Sequence, residues 1–150
     1  MAYPIAVSKD VNAPAQKLWA MVSDLPRMGE WSPENQGGRW AKGSAGAATG
    51  ALFRGRNKNG IRRWGTKVTV VDCQPAKAFE IAVTSGPLTV ANWRYDFEET
   101  ATGCRVTESW DDRRAPWFRV VSRAMGDHSG AHARQEMAAT LDNLAAAAER

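Results

Sequence analysis

Between residues 37 and 112 the sequence falls into six stretches in which apolar and polar residues alternate, most of them closed by turn-forming residues. A period-two run buries one face of a strand and wets the other. Several in succession commit a chain to an antiparallel meander. The stretches are 37–42, 51–57, 62–73, 78–84, 88–98 and 104–112. Their punctuation is Asn59-Gly60, Gln74-Pro75, Ser85-Gly86-Pro87 and Thr102-Gly103. An Asn-Gly pair is a strong hairpin signal because both residues tolerate the turn's left-handed backbone.

The flanks complete the plan. Ile5 and Val7 alternate with Ser8 and Asp10, an opening strand over 5–11. Asn12-Ala13-Pro14 starts a short helix whose apolar stripe is Leu18, Trp19 and Val22. A second short helix follows Leu25-Pro26 and ends before Ser32-Pro33. Residues 113–127 read as a short helix or lid-like segment. From Asp127 or Ser129 to about residue 149, Met137, Leu141, Leu144 and Ala148 recur on one helical face. The order is strand, two short helices, six strands, one long helix. It predicts an α+β fold, a curved seven-stranded antiparallel sheet wrapped around the C-terminal helix, with a cavity between them.

Composition narrows the class. At 150 residues the chain is expected to form a single domain over 1–150. With 43% hydrophobic and 24% charged residues it can bury a core and is not disordered. No run approaches the roughly 20 apolar residues of a membrane span. The first ten residues lack a signal-peptide pattern. The expectation is a soluble cytoplasmic protein. Cys73 and Cys104 read as reduced thiols. Two cysteines and two histidines, His128 and His132, offer no set of metal ligands and imply no cofactor. Seven tryptophans are many for this length, so the core is very aromatic or several rings line a cavity.

This order and the local text resemble the helix-grip superfamily, which includes START lipid-transfer domains and bacterial SRPBCC proteins. The resemblance is greatest to the bacterial polyketide cyclase/dehydrase and lipid transport proteins. It is carried by Val11 to Ala15, Leu18-Trp19 to Asp24, Trp31-Ser32-Pro33, Gly50 to Gly60, Arg63-Trp64, Val106 to Asp112 and Thr140 to Leu144. It spans essentially the whole chain. It implies a hydrophobic cavity that takes lipids, polyketides, sterols or aromatics, and it carries no fixed catalytic signature.

Strand parity selects an inward set: Trp64, Thr66, Val68, Phe79, Ile81, Val83, Ala91, Trp93, Tyr95, Phe97, Val106 and Trp110, faced by Met137, Leu141 and Leu144. Some of these fill core, and others line the expected pocket. Glu108 shares the face of Val106 and Trp110. A carboxyl there is desolvated, its pKa rises, and it becomes a candidate general acid or base with Arg62 or Tyr95 beside it. The alternatives are a structural ion pair or a bulge that turns Glu108 outward. Helical spacing from Met137 points His132 toward solvent or the flank, and places His128 near a cavity mouth.

The net charge is +4. Arg54, Arg56, Lys58, Arg62 and Arg63 gather at the 57–60 hairpin, a basic tip suited to an acidic carrier protein or an anionic lipid surface. No aromatics interleave with it, so nucleic acid is not the expected partner. Residues 43–50 read as a flexible loop, without a phosphate-loop ending. Three functions fit: a carrier of a hydrophobic small molecule, a cyclase, aromatase or dehydratase using Glu108, and an interaction module using the basic hairpin.

Overall fold

The computed structural model describes residues 5–124 and 130–150. His128 and the capping candidates Asp127 and Ser129 lie outside these residues. In chain order the elements are β1 (Ile5–Val11), α1 (Ala15–Ser23), a 3-10 turn (Leu25–Glu30), β2 (Asn35–Trp40), β3 (Leu52–Asn59), β4 (Arg62–Gln74), β5 (Ala78–Ser85), β6 (Leu88–Glu99), β7 (Cys104–Asp112), α2 (Pro116–Ala124) and α3 (Gly130–Ala148). All strand pairs are antiparallel, in the order β1-β7-β6-β5-β4-β3-β2. This is the helix-grip arrangement of an open sheet and a C-terminal helix. Beside the spans expected from sequence, β2 starts and ends two residues earlier.

Alternation sorts the two faces. Phe53, Val68, Phe79, Tyr95, Phe97 and Val106 are buried on the concave face. A bulge in β4 between Val70 and Asp72 leaves Val71 exposed and carries Cys73 to the concave face opposite Phe79. Without that extra residue the last part of β4 would present its faces reversed.

The helix α3 follows its expected stripe: Met137, Leu141, Leu144, Ala145 and Ala148 are all buried. It packs chiefly on β1, with smaller contacts to β7 and α1. Polar ties fix its C-terminal half. Lys17 Nζ donates to the Ala148 carbonyl at 2.7 Å, where a cation suits the negative end of the helix. Glu149 accepts from the Asn12 amide at 2.8 Å, and Asn143 Nδ2 donates to the Trp31 carbonyl at 3.0 Å. The helix α1 closes the Phe79 end of the sheet, where Trp19 Nε1 donates to the Ala78 carbonyl. By contrast α2 has little cover, with Trp117, Val120 and Val121 exposed. Arg119 ties it back to β7 by donating to the Asp112 carbonyl at 3.1 Å.

Leu144 has no exposed surface. Leu144→Ala is expected to lower unfolding free energy by about 2–5 kcal/mol through lost burial and a residual cavity. Val120→Ala on α2 should change it by less than about 0.5 kcal/mol. Urea unfolding midpoints of the two variants check both values.

Candidate functional site

The cross-strand register places Glu108 of β7 directly between Val7 of β1 and Tyr95 of β6. The same row continues through Phe79 to Cys73. Glu108 is 3% exposed and Tyr95 is 4% exposed. The Tyr95 hydroxyl donates to the Glu108 carboxyl, while Glu108 Oε1 has no hydrogen-bond partner. Burial pushes the Glu108 pKa up from 4.5 to about 8, and the tyrosine's hydrogen bond only partly opposes this. Burial, and then the facing carboxyl, push Tyr95 well above its usual value. At neutral pH Glu108 is therefore a neutral acid within the apolar layer.

Arg62 does not join this pair. It lies at the hairpin end of β4 opposite Asn59, whereas the Glu108 row crosses β4 at Cys73. At about 3.3 Å per residue the two points are more than roughly 30 Å apart along the strand. Parity had fixed the face of Arg62 but not its row.

The remaining candidates divide by position. Val68, Phe79, Tyr95, Phe97, Met137 and Leu141 are buried in the core. Ile81, Trp93 and Trp110 are half-buried on the concave face. The Trp93 and Trp110 rings lie 5.9 Å apart at 35°, next to the Tyr95–Glu108 row. Trp64 is exposed and pairs with Asn57 toward the hairpin, and Thr66 lies opposite Gly55 in the same arm. Neither flanks the Glu108 row, so the arm that carries them and Arg62 projects beyond the concave cluster. Ile81, Trp93 and Trp110 are thus the half-buried candidates in the row next to Glu108 and Tyr95.

His132 does not face open solvent. Its Nε2 lies 2.8 Å from Glu34 Oε1, and Glu136, one helical turn on, completes a half-buried trio. The three donor atoms lie within 4.8 Å of one another, a mixed nitrogen and oxygen set of the kind divalent transition ions accept. Burial, then the charge of Glu34, raises the Glu136 pKa. The His132/Glu136 spacing is visible in the sequence, but Glu34 is 98 residues from His132. Its turn-proximal position gave no signal.

On the convex face, Arg54, Arg56, Lys58 and Arg63 are exposed, as are Arg39 and Lys67. A groove of about 530 Å³ opens there, among Arg39, Arg54, Arg56 and Lys67. This space is not the one between the sheet and α3.

The sequence profile described as polyketide cyclase / dehydrase and lipid transport matches residues 4–149. The chain belongs to that family. No curated protein matches it. Among solved structures it is similar to the polyketide-cyclase-like protein Cgl2372 of Corynebacterium glutamicum, at 31% identity and a TM-score of 0.58, over 96% of this chain and 88% of that one. The major latex-like protein 151 of Panax ginseng shares the fold at 9% identity and a TM-score of 0.75, over 96% and 95% of the two chains. The di-domain aromatase/cyclase StfQ of the steffimycin pathway does so at 15% identity and a TM-score of 0.71, over 97% of this chain and 44% of that one. Among the described residues no helix is long and apolar enough to cross a membrane.

The raised Glu108 pKa has a pH signature. Between about pH 4.5 and 8 the folded chain keeps a proton that the unfolded chain has lost, so this group's contribution to stability falls as pH rises through that window. The loss by pH 8 is on the order of a few kcal/mol. Glu108→Gln, which cannot ionise, is expected to be more stable than wild type at pH 8 and to lose less between pH 5 and 8. Parallel urea titrations at the two pH values check this. Equal slopes in the two proteins would show that the carboxyl is ionised in the fold.

Proposed function

We propose that the protein binds a hydrophobic small molecule (a lipid, polyketide or aromatic) on the concave face of the sheet beside α3, and acts as its carrier. The observation that carries this reading is the Trp93–Trp110 pair with Ile81. These large apolar side chains are only half-buried, beside buried neighbours on the same face such as Val70, Phe79 and Tyr95. Apolar area left accessible in a concavity is favourable to cover with an apolar ligand. Paired indoles suit flat or ring-bearing molecules by offset stacking. Family membership supports the same class of ligand.

A second reading is favoured by one specific feature. Glu108 is a neutral buried acid with an unpartnered oxygen, held in register against a tyrosine hydroxyl. A carboxylic acid poised near neutrality can protonate a ketone oxygen or take a proton from the adjacent carbon. That is the chemistry of a polyketide cyclase, aromatase or dehydratase. The carrier reading ranks first because Glu108 is 3% exposed, so a reacting atom would need the layer in front of it to part.

Native mass spectrometry of gently purified protein is the direct test, and a retained lipid or aromatic is the expected result. With the extracted molecule as probe, or 1-anilinonaphthalene-8-sulfonate if none is retained, Trp93→Ala and Trp110→Ala should each weaken binding by roughly five- to tenfold, the loss of about 1–1.4 kcal/mol of ring contact. Unchanged affinity in both variants would remove the concave site. Glu108→Gln should leave that affinity nearly unaltered. Under the second reading it would also abolish turnover of a polyketide-like substrate.

A further inference from the structure

We infer that the convex face of β2, β3 and β4 is a second binding site, for a small molecule carrying two or more linked phosphate groups. Arg39 of β2 lies directly opposite Arg54 of β3, and Arg54 directly opposite Lys67 of β4. Arg56 stands two residues along on the same face. Like charges in direct cross-strand register repel one another, so this row is unfavourable in the empty protein. No carboxylate among the described residues pairs with these four side chains.

The rest of the same face shows what neutralisation looks like. Arg94 on β6 is held by Asp72, Glu80 and Asp96 at 3.0 Å each. The row on β2–β4 has no such acids and borders a groove of about 530 Å³. Its floor is opened by Gly65, which faces Arg56 across the ladder. A Cβ added at Gly65 would meet nothing nearer than the Gly55 carbonyl at 3.8 Å, so the groove is space that a side chain could have filled. Two strand spacings make the row about 10 Å long. That is more than one phosphate covers, and two or three linked phosphates reach all of it. Arginine forks bind phosphate oxygens in pairs, and a compact ammonium adds a point charge.

The test uses inorganic tripolyphosphate at about 50 mM salt, where surface charges are weakly screened. Calorimetry should show one-to-one binding to the wild type. Arg54→Gln with Lys67→Gln should weaken it by roughly tenfold or more. Lys42→Gln with Lys77→Gln removes the same charge elsewhere and should leave it within about twofold. Gly65→Val keeps every charge, fills the floor and should also weaken binding. In the absence of ligand, Arg54→Gln should raise the melting temperature, because it relieves repulsion. Each of several outcomes would overturn the site: no tripolyphosphate binding, equal loss in both double variants, Gly65→Val binding normally, or a lowered melting temperature for Arg54→Gln. Binding to phosphatidylglycerol vesicles without binding to tripolyphosphate would also overturn it and assign the face to a membrane surface. Because none of these substitutions touches Trp93 or Trp110, failure here leaves the concave-face reading intact, and failure there leaves this one.

Discussion

One helix must cover a sheet too large for it. The sheet has seven strands, about 29 Å across at normal spacing, and its longest strand has 13 residues, about 43 Å long. The helix α3 has 19 residues, about 28 Å of length and about 10 Å of width. It can bury roughly a third of the concave face, and it does so along β1. Much of the architecture follows from that mismatch. The short α1 covers part of β5 and β6, and the 3-10 turn packs on β2. Aromatic side chains thicken the layer elsewhere. What neither measure reaches is the stretch around Trp93 and Trp110, and this is why the candidate binding surface is there.

The same mismatch explains how a carboxyl is tolerated inside. Glu108 lies between Val7 of β1 and Tyr95 of β6 and is 3% exposed, and a charge there would be costly. The fold resolves the conflict by protonation and by a single hydrogen bond from Tyr95. An apolar residue at this position would spare the unpartnered oxygen, so the acid is a departure from the local pattern of apolar inward positions. Such departures are where function is most reasonably sought.

Strand number, the meander of β2 to β7 and the facing of their residues were legible because alternation is set by pleat geometry and by one buried face. Leu141 and Leu144 were legible for the equivalent reason in a helix. What alternation cannot supply is position along a strand. It gave Arg62 and Glu108 a common face but no distance, and only the register shows them far apart. Nor does it foresee the extra residue at Val71, which depends on how two ladders fit. The Glu34–His132 contact joins a turn to a helix across most of the chain, and nothing local to either residue announces it. The basic cluster was visible as a hairpin tip. Arg39 and Lys67 entered it only through pairing, which turned a charged tip into a row.

The open sheet leaves two edges, and β2 forms one of them. Its ladder to β3 slips between Asn35 and Gly38, where Gly37 and Gly38 both take positive φ and a side chain at Gly38 would collide with the Arg54 carbonyl. An incoming strand from another molecule would therefore meet an uneven line of amides and carbonyls. It would also arrive beside Arg39 and Arg54, and a second copy would bring the same charges to meet them. The irregular, positively charged rim makes sheet-to-sheet growth between molecules unfavourable, and so guards the chain against self-assembly at this edge.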